Sequence, residues 1–233
     1  MTSNEKRGTR NGFFVTGTDT GVGKTLVACS LLRAFAARGL KAVGMKPVAS
    51  GAVPRGSRLV HDDVEKLTAA GNVAAPHEHV NPYCFEPPIA PHIAASAAGM
   101  RIDLDRIRRS FDALAARADV VIVEGVGGFR VPLGPGIDTA QLAARLALPV
   151  VLVVGMRLGC LNLALLTAEA IAGRGLKLAG WVANHIDSRM AAVEENVQAL
   201  EALISAPLIA RIAFTARPDP TAGAALLDTC NLG

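Results

Sequence analysis

Gly17-Thr18-Asp19-Thr20-Gly21-Val22-Gly23-Lys24-Thr25 is the stretch from which the rest of the chain can be ordered. The apolar run Phe13-Phe14-Val15 leads into it, and a helix-forming segment, Leu26 to Arg38, follows. Strand, glycine-rich turn, Gly-Lys-Thr and helix together are the context in which a phosphate-binding loop forms. A helix start leaves its first N–H groups unpaired and carries partial positive charge, which suits an anionic phosphate. Gly21 and Gly23 let the backbone curl with its N–H groups inward. Lys24 then reaches the terminal phosphates, and the Thr25 hydroxyl suits magnesium. The loop deviates from the general pattern, because its leading glycine is Gly17 and the usual glycine position holds Thr18.

The chain has 233 residues, enough for one large α/β domain with a buried core. Residues 13–233 are read as that domain, and the polar, mixed-charge residues 1–12 as a disordered tail. Apolar residues make up 51%, which suits a sheet covered on both faces. No apolar run is long enough to span a membrane, and residues 1–12 carry no signal core, so a cytoplasmic protein is expected. Cys29, Cys84, Cys160 and Cys230 are far apart and read as isolated thiols. His77 and His79 lack a third ligand nearby and read as surface loop. A net charge of +4 without a basic run gives nucleic-acid binding no support. Lysine occurs only at positions 6, 24, 41, 46, 66 and 177, so Lys24 and Lys46 stand out from the arginine-rich background.

Downstream, strand and helix alternate. Lys41 to Met45 reads as a strand that ends in the rigid turn Lys46-Pro47-Val48-Ala49-Ser50-Gly51, which presents Lys46 and Ser50 at a strand's carboxyl end. Residues 52–61 read as a loop. Asp62-Asp63 then precede a short helix, where either acid serves equally well as a plain N-cap or as a magnesium ligand. Asn81 to His92 is a proline-studded edge strand or ordered loop, and Ile93 to Ala98 a helical turn or two. Asp103 to Ala116 has the apolar stripe of an amphipathic helix. Asp119 to Glu124 reads as a buried strand ending on an acid and followed by Gly125-Val126-Gly127-Gly128, like a Walker B strand with Glu in place of Asp. Helix 138–146, strand 149–154, loop 155–162 opening a helix to Ala172, strand 178–183 ending on Asn184, helix 187–204 and strand 207–212 complete the pattern. This alternation predicts a three-layer, doubly wound, mostly parallel sheet of the P-loop nucleotide-binding kind with a deviant phosphate loop. In such a sheet the residues that follow each strand gather at one edge, around the loop.

With these residues assembled, the chain resembles the dethiobiotin synthetases, the ATP-dependent enzymes of biotin biosynthesis. The resemblance is carried by Phe13 to Thr20, Val22 to Thr25, Lys46 to Gly51, Val123 to Gly128, Leu158 to Asn162 and Gly180 to Asn184. It implies that carbon dioxide adds to an amine of 7,8-diaminononanoate. The carbamate then takes the γ-phosphate of ATP, and the neighbouring amine closes a cyclic urea. The resemblance implies nucleotide contacts from Thr20, Gly21, Val22, Gly23, Lys24, Thr25, Glu124, Gly125, Val126 and Gly127, with Asn184 on adenine, which packs near Ala213. Family members often carry proline there, and Ile212-Ala213-Phe214 lacks it. Magnesium would be held by Thr25, Asp63 and Glu124, Asp63 being favoured over Asp62 by its distance from Leu67. Lys46 and Lys24 would be catalytic and Ser50 would meet the substrate's amine end. Its carboxylate would sit at Gly159, Cys160, Leu161 and Asn162, contributed by the second subunit of a homodimer.

Two other readings share parts of this pattern. Partitioning ATPases share the deviant loop but resemble one another in carrying lysine where this chain has Asp19. Their basic membrane-binding tail also has no counterpart in residues 221–233, which hold no lysine or arginine. ATP-dependent amide-forming enzymes usually carry an extra glutaminase domain, for which this chain has no room.

Overall fold

The computed structural model describes residues 12–217 and 219–220. Its central sheet contains β1 (Gly12–Gly17), β2 (Ala42–Met45), β7 (Val120–Glu124), β10 (Val150–Met156), β11 (Leu178–His185) and β12 (Leu208–Ile212). The spatial order is β12-β11-β10-β1-β7-β2 and every neighbouring pair is parallel. The smaller strands are β3 (Val48–Ser50), β4 (Val53–Arg55), β5 (Arg58–Val60), β6 (Tyr83–Phe85), β8 (Pro132–Gly134) and β9 (Ile137–Asp138). The helices are α1 (Lys24–Ala37), α2 (Asp62–Ala70), α3 (His77–Val80), α4 (Pro91–Ala97), α5 (Leu104–Ala115), α6 (Thr139–Leu146), α7 (Cys160–Ala172) and α8 (Val193–Leu203).

The β-branched runs become central strands because both of their faces are covered. Alternation along β1 sends Phe14 into a core shared with Phe111 of α5 and Leu142 of α6. Phe13 and Val15 face the other way, against Leu31 and Leu32 of α1. On β10 and β11, Leu152, Val154 and Trp181 pack against Ala164 of α7 and Leu200 of α8. Helices therefore cover both faces, giving the expected three layers.

Several boundaries differ from the sequence reading, each for a local reason. Gly12, assigned to the tail, begins β1, and residues 1–11 lie outside the described residues. Residues 52–61 are a hairpin, β4 with β5, because Gly56-Ser57 makes a two-residue turn and Gly56 takes the positive φ that the turn requires. Helix 187–204 is shortened to Val193–Leu203, since Asp187 spends its side chain on the Arg189 N–H and holds a turn there. β10 runs two residues beyond its expected end, to Met156, pairing Gly155 with Asn184 and Met156 with His185.

α6 starts where expected, at a complete capping box: the Asp138 carboxylate accepts from the Gln141 N–H, and the Gln141 side chain accepts from the Asp138 N–H. Asp138 also accepts from Arg130 at 2.7 Å. Asp138→Ala is expected to lower stability by about 1–2 kcal/mol through loss of the cap, measured by urea unfolding. Asp138→Asn should recover most of that loss.

Candidate active site

The carboxyl edge of the sheet carries an open cleft of about 720 Å³. Its floor is the loop between β1 and α1. Gly21 and Gly23 both take positive φ there. A Cβ on Gly23 would lie 2.2 Å from the Asn184 amide nitrogen, so this position has no room for a side chain. Gly23 is also the N-cap of α1 and offers no side chain to its first turn. The N-terminal amides are thus left for an anion, as the sequence pattern requires. The Lys24 ammonium donates to the Asp19 carbonyl at 2.9 Å. Burial, reinforced by the neighbouring Lys46 charge, lowers its pKa to about 8.

Lys46, Asp63, Glu124 and Thr25 converge on one wall of this cleft. They come from the turn after β2, the first turn of α2, the end of β7 and the first turn of α1. Lys46 Nζ lies 2.5 Å from Glu124 Oε1 and 2.9 Å from Asp63 Oδ2. Thr25 Oγ1 is 2.9 Å from both Asp63 Oδ1 and Glu124 Oε1, so its single proton serves one of them at a time. Burial opposes the Lys46 charge, but Glu124 and Asp63 together outweigh it and raise the pKa. Burial likewise opposes the Asp63 charge, and the Lys46 ammonium and the Thr25 hydroxyl outweigh it and hold the carboxyl below its ordinary range.

The residues present fit a small hard cation. Two carboxylates and a hydroxyl form an all-oxygen set, and Glu124 Oε2 is buried without a hydrogen-bond partner. Among the described residues no three His, Cys, Asp or Glu side chains cluster as a metal site. Magnesium is the divalent ion least in need of such a cage, because it keeps waters and shares substrate phosphates.

The other expected site residues fall into three groups. Thr20, Gly21, Ser50, Val126 and Gly127 line the cleft. Val22 and Gly125 lie beneath it and act through carbonyls: Val22 O accepts from Asn184 Nδ2 at 2.8 Å, and Gly125 O from Lys46 Nζ at 3.3 Å. Asn184 thereby stands behind the loop, and its register partner Ile212 brings Ala213 to the same side. Gly159, Cys160, Leu161 and Asn162 do not line this cleft; they form the start of α7. The Cys160 side chain is in the core and its N–H donates to the Arg157 carbonyl at 3.0 Å.

Two features escaped the sequence reading. Neither Asp62 nor Asp63 caps α2. His61 does, its Nδ1 accepting from the Asp63 N–H at 3.2 Å while its Nε2 lies 3.2 Å from the Ser50 carbonyl. These partners fix one neutral tautomer, with the proton on Nε2. Arg157 pairs with Asp19, its guanidinium 2.5 Å from Oδ2. His61 sat inside a stretch read as loop, and nothing local in the sequence marks the pairing of residues 19 and 157.

Fold and cleft define a nucleotide-binding α/β protein with a phosphate loop, and the family model described as an AAA domain matches residues 11–220. Solved structures share the architecture. The MinC:MinD cell division protein complex of Aquifex aeolicus aligns with TM-score 0.51 at 14% identity, covering 88% of this chain and 82% of that one. The ParA family ATPase of Chlorobium tepidum aligns with TM-score 0.50 at 14% identity, covering 89% and 86%. The ATP-dependent dethiobiotin synthetase BioD of Aromatoleum aromaticum is 54% identical over 215 residues, 92% of this chain and 96% of that protein. Its namesake in Nitrosospira multiformis is 52% identical over 226 residues, 97% and 98%. The chain belongs to the ATP-dependent dethiobiotin synthetase family.

The lowered Lys24 pKa gives a signed prediction. A polyphosphate binds the protonated ammonium, so the affinity for inorganic tripolyphosphate, taken relative to Lys24→Met to cancel the ligand's own titration, should be level below about pH 8. Above that it should fall by up to about tenfold per pH unit. Calorimetry in buffers of different ionisation enthalpy should show proton uptake on binding in the falling range, and Lys24→Met should lack it.

Proposed function

We propose that the chain is an ATP-dependent dethiobiotin synthetase, converting 7,8-diaminononanoate, carbon dioxide and ATP into dethiobiotin, ADP and phosphate. The observation that carries this reading is the Lys46–Glu124–Asp63–Thr25 cluster on the wall of a phosphate-loop cleft. Phosphoryl transfer needs chiefly positioning and charge stabilisation, and these are the groups that supply both.

An amine of the substrate loses a proton and takes up carbon dioxide as a carbamate. A carbamate oxygen attacks the γ-phosphorus, and ADP leaves. The second amine attacks the carbonyl carbon of the mixed anhydride; the carbon–oxygen bond breaks, phosphate departs and the cyclic urea remains. Lys24 and the loop amides hold the phosphates. Lys46 stabilises charge on the carbamate and the transferring phosphoryl group, and Ser50 orients the amine end. Asn184 meets adenine beside Ala213. Thr25, Asp63 and Glu124 would hold magnesium, which would neutralise phosphate charge during the transfer.

The substrate carboxylate is assigned to the start of α7, from Gly159 to Asn162, in a second copy of the chain. Two observations support a homodimer there. Leu158 is 96% exposed and Leu166 on α7 is 56% exposed, a pair of large apolar side chains beside a helix start without a side-chain cap. Among the described residues no helix is long and apolar enough to cross a membrane. A cytoplasmic setting is further supported by Cys29, Cys84 and Cys160, which are free thiols.

ATP hydrolysis should depend on both diamine and bicarbonate, with a product of the mass of the cyclic urea. Equal hydrolysis without diamine contradicts the reading. Lys46→Ala should lower kcat by about 10²–10³ while nucleotide affinity changes little, as when a group that stabilises transition-state charge is deleted. Leu166→Glu should shift sedimentation toward the monomer and raise KM for the diamine more than for ATP; an unchanged oligomer contradicts the assigned interface.

A further inference from the structure

We infer that in the nucleotide-free protein the Lys46 ammonium is the resident cation of the Asp63–Glu124 pair, and that a divalent ion bound by Thr25, Asp63 and Glu124 displaces it, releasing it toward the reacting groups. The inference deepens the reading above and rests on it for what the released ammonium does.

Donor counting carries the argument. An ammonium has three protons. Lys46 directs them at three acceptors: Glu124 Oε1 at 2.5 Å, Asp63 Oδ2 at 2.9 Å and Gly125 O at 3.3 Å. None is left for a carbamate or a phosphoryl oxygen. Lys46 is 3% exposed and Glu124 1% exposed, so water does not dilute this pairing. The two carboxylates that hold the ammonium are the same two that face Thr25 Oγ1. A divalent ion there and the ammonium in its present place would be adjacent cations sharing Glu124 Oε1. In a buried site that arrangement is repulsive, and one cation must withdraw.

The surroundings allow the withdrawal. The backbone of Lys46 is pinned, its N–H donating to Val80 O at 2.8 Å and its carbonyl accepting from Asn81 Nδ2 at 2.6 Å. The exchange is therefore a side-chain motion on a fixed turn. Glu124 Oε2, buried and unpartnered, is a donor atom that Lys46 leaves unused and an incoming ion can take. Lys46 lines the cleft together with Ser50 and Gly21, so the released ammonium moves into the space between the phosphate loop and the substrate wall. The consequence is an order of events: the groups that stabilise phosphoryl transfer are assembled only once the divalent ion has entered.

The test uses Mn²⁺ as probe with nucleotide-free protein, followed by calorimetry and by paramagnetic resonance of the free ion. Lys46→Met removes the competing cation and should bind Mn²⁺ at least about tenfold more tightly than wild type, because the acid pair is left without a counter-ion. Lys46→Arg keeps the charge and should bind as weakly as wild type. Equal or weaker binding by Lys46→Met overturns the proposal. Should Lys46→Met fail to fold, the wild-type protein labelled with ¹⁵N-lysine serves instead. The Lys46 ammonium resonance, assigned by its absence from Lys46→Arg, should shift when Mg²⁺ saturates the site. An unchanged resonance with the ion bound overturns the proposal. None of these readouts involves the diamine, so failure of cyclic-urea formation would strike the enzymatic reading and leave the exchange standing, and the reverse also holds.

Discussion

A buried ammonium held between two carboxylates is the interaction on which the site depends. Lys46 and Glu124 are nearly inaccessible to water, and neither could be charged there alone. The pairing exists because β2 and β7 are neighbours in a parallel sheet, with Met45 in register with Val123. Their carboxyl ends therefore finish side by side, and the next residue of each is the lysine and the acid. The fold thus fixes this charge pair through strand order and register, before any loop is considered. Asp63 joins them from α2, whose first turn is held over the cleft by the His61 cap.

The second constraint is the left-handed backbone of the loop before α1. The cradle of N–H groups it creates is unpaired by design, and Lys24 stands at its mouth with its pKa lowered mainly by burial. One half of the site is therefore short of negative charge, and the other half, at Glu124 and Asp63, is balanced by Lys46. In the proposed reaction a nucleoside triphosphate would bring anionic oxygens to the first half, and a divalent ion would sit at the second. This complementarity, more than any single contact, suits the cleft to phosphoryl transfer.

Much of this was legible in the sequence, and the physics explains which parts. The phosphate loop, the strand ending on Glu124 and the convergence of residues following strands can be read locally, because parallel strands with helical crossovers leave few topologies open. The buried strands announce themselves by unbroken apolar runs, Val120-Val121-Ile122-Val123 and Val150-Val151-Leu152-Val153-Val154, in which only Leu152 is not β-branched. The hairpin at residues 53–60 was missed because its strands are only three residues long, β4 is exposed throughout and neither carries an apolar periodicity; only Gly56-Ser57 marked it. The cap of α2 was not found, since the sequence left Asp62 and Asp63 open between cap and magnesium ligand; histidine can cap only in one tautomer, which Ser50 selects from another strand. Contacts of that kind belong to tertiary structure and leave no trace in spacing.

The likeness to the cell division protein complex and the ParA family ATPase, at 14% identity, concerns architecture alone. Position 19 shows what this chain adds to the loop. Here its carboxylate accepts from the Thr20 N–H at 2.7 Å and from Arg157 at 2.5 Å, while its carbonyl accepts from Lys24. A lysine at 19 would face Arg157 with like charge and lose both acceptor contacts of the side chain. The acid instead ties the phosphate loop to the segment that opens α7, which follows β10, the strand next to β1 in the sheet. Within one chain the phosphate loop is therefore joined through one ion pair to the segment that, in the proposed dimer, would serve the other copy's site. That junction is partly exposed, so its contribution to stability is small; what it does supply is a direct link between two loops that follow neighbouring strands.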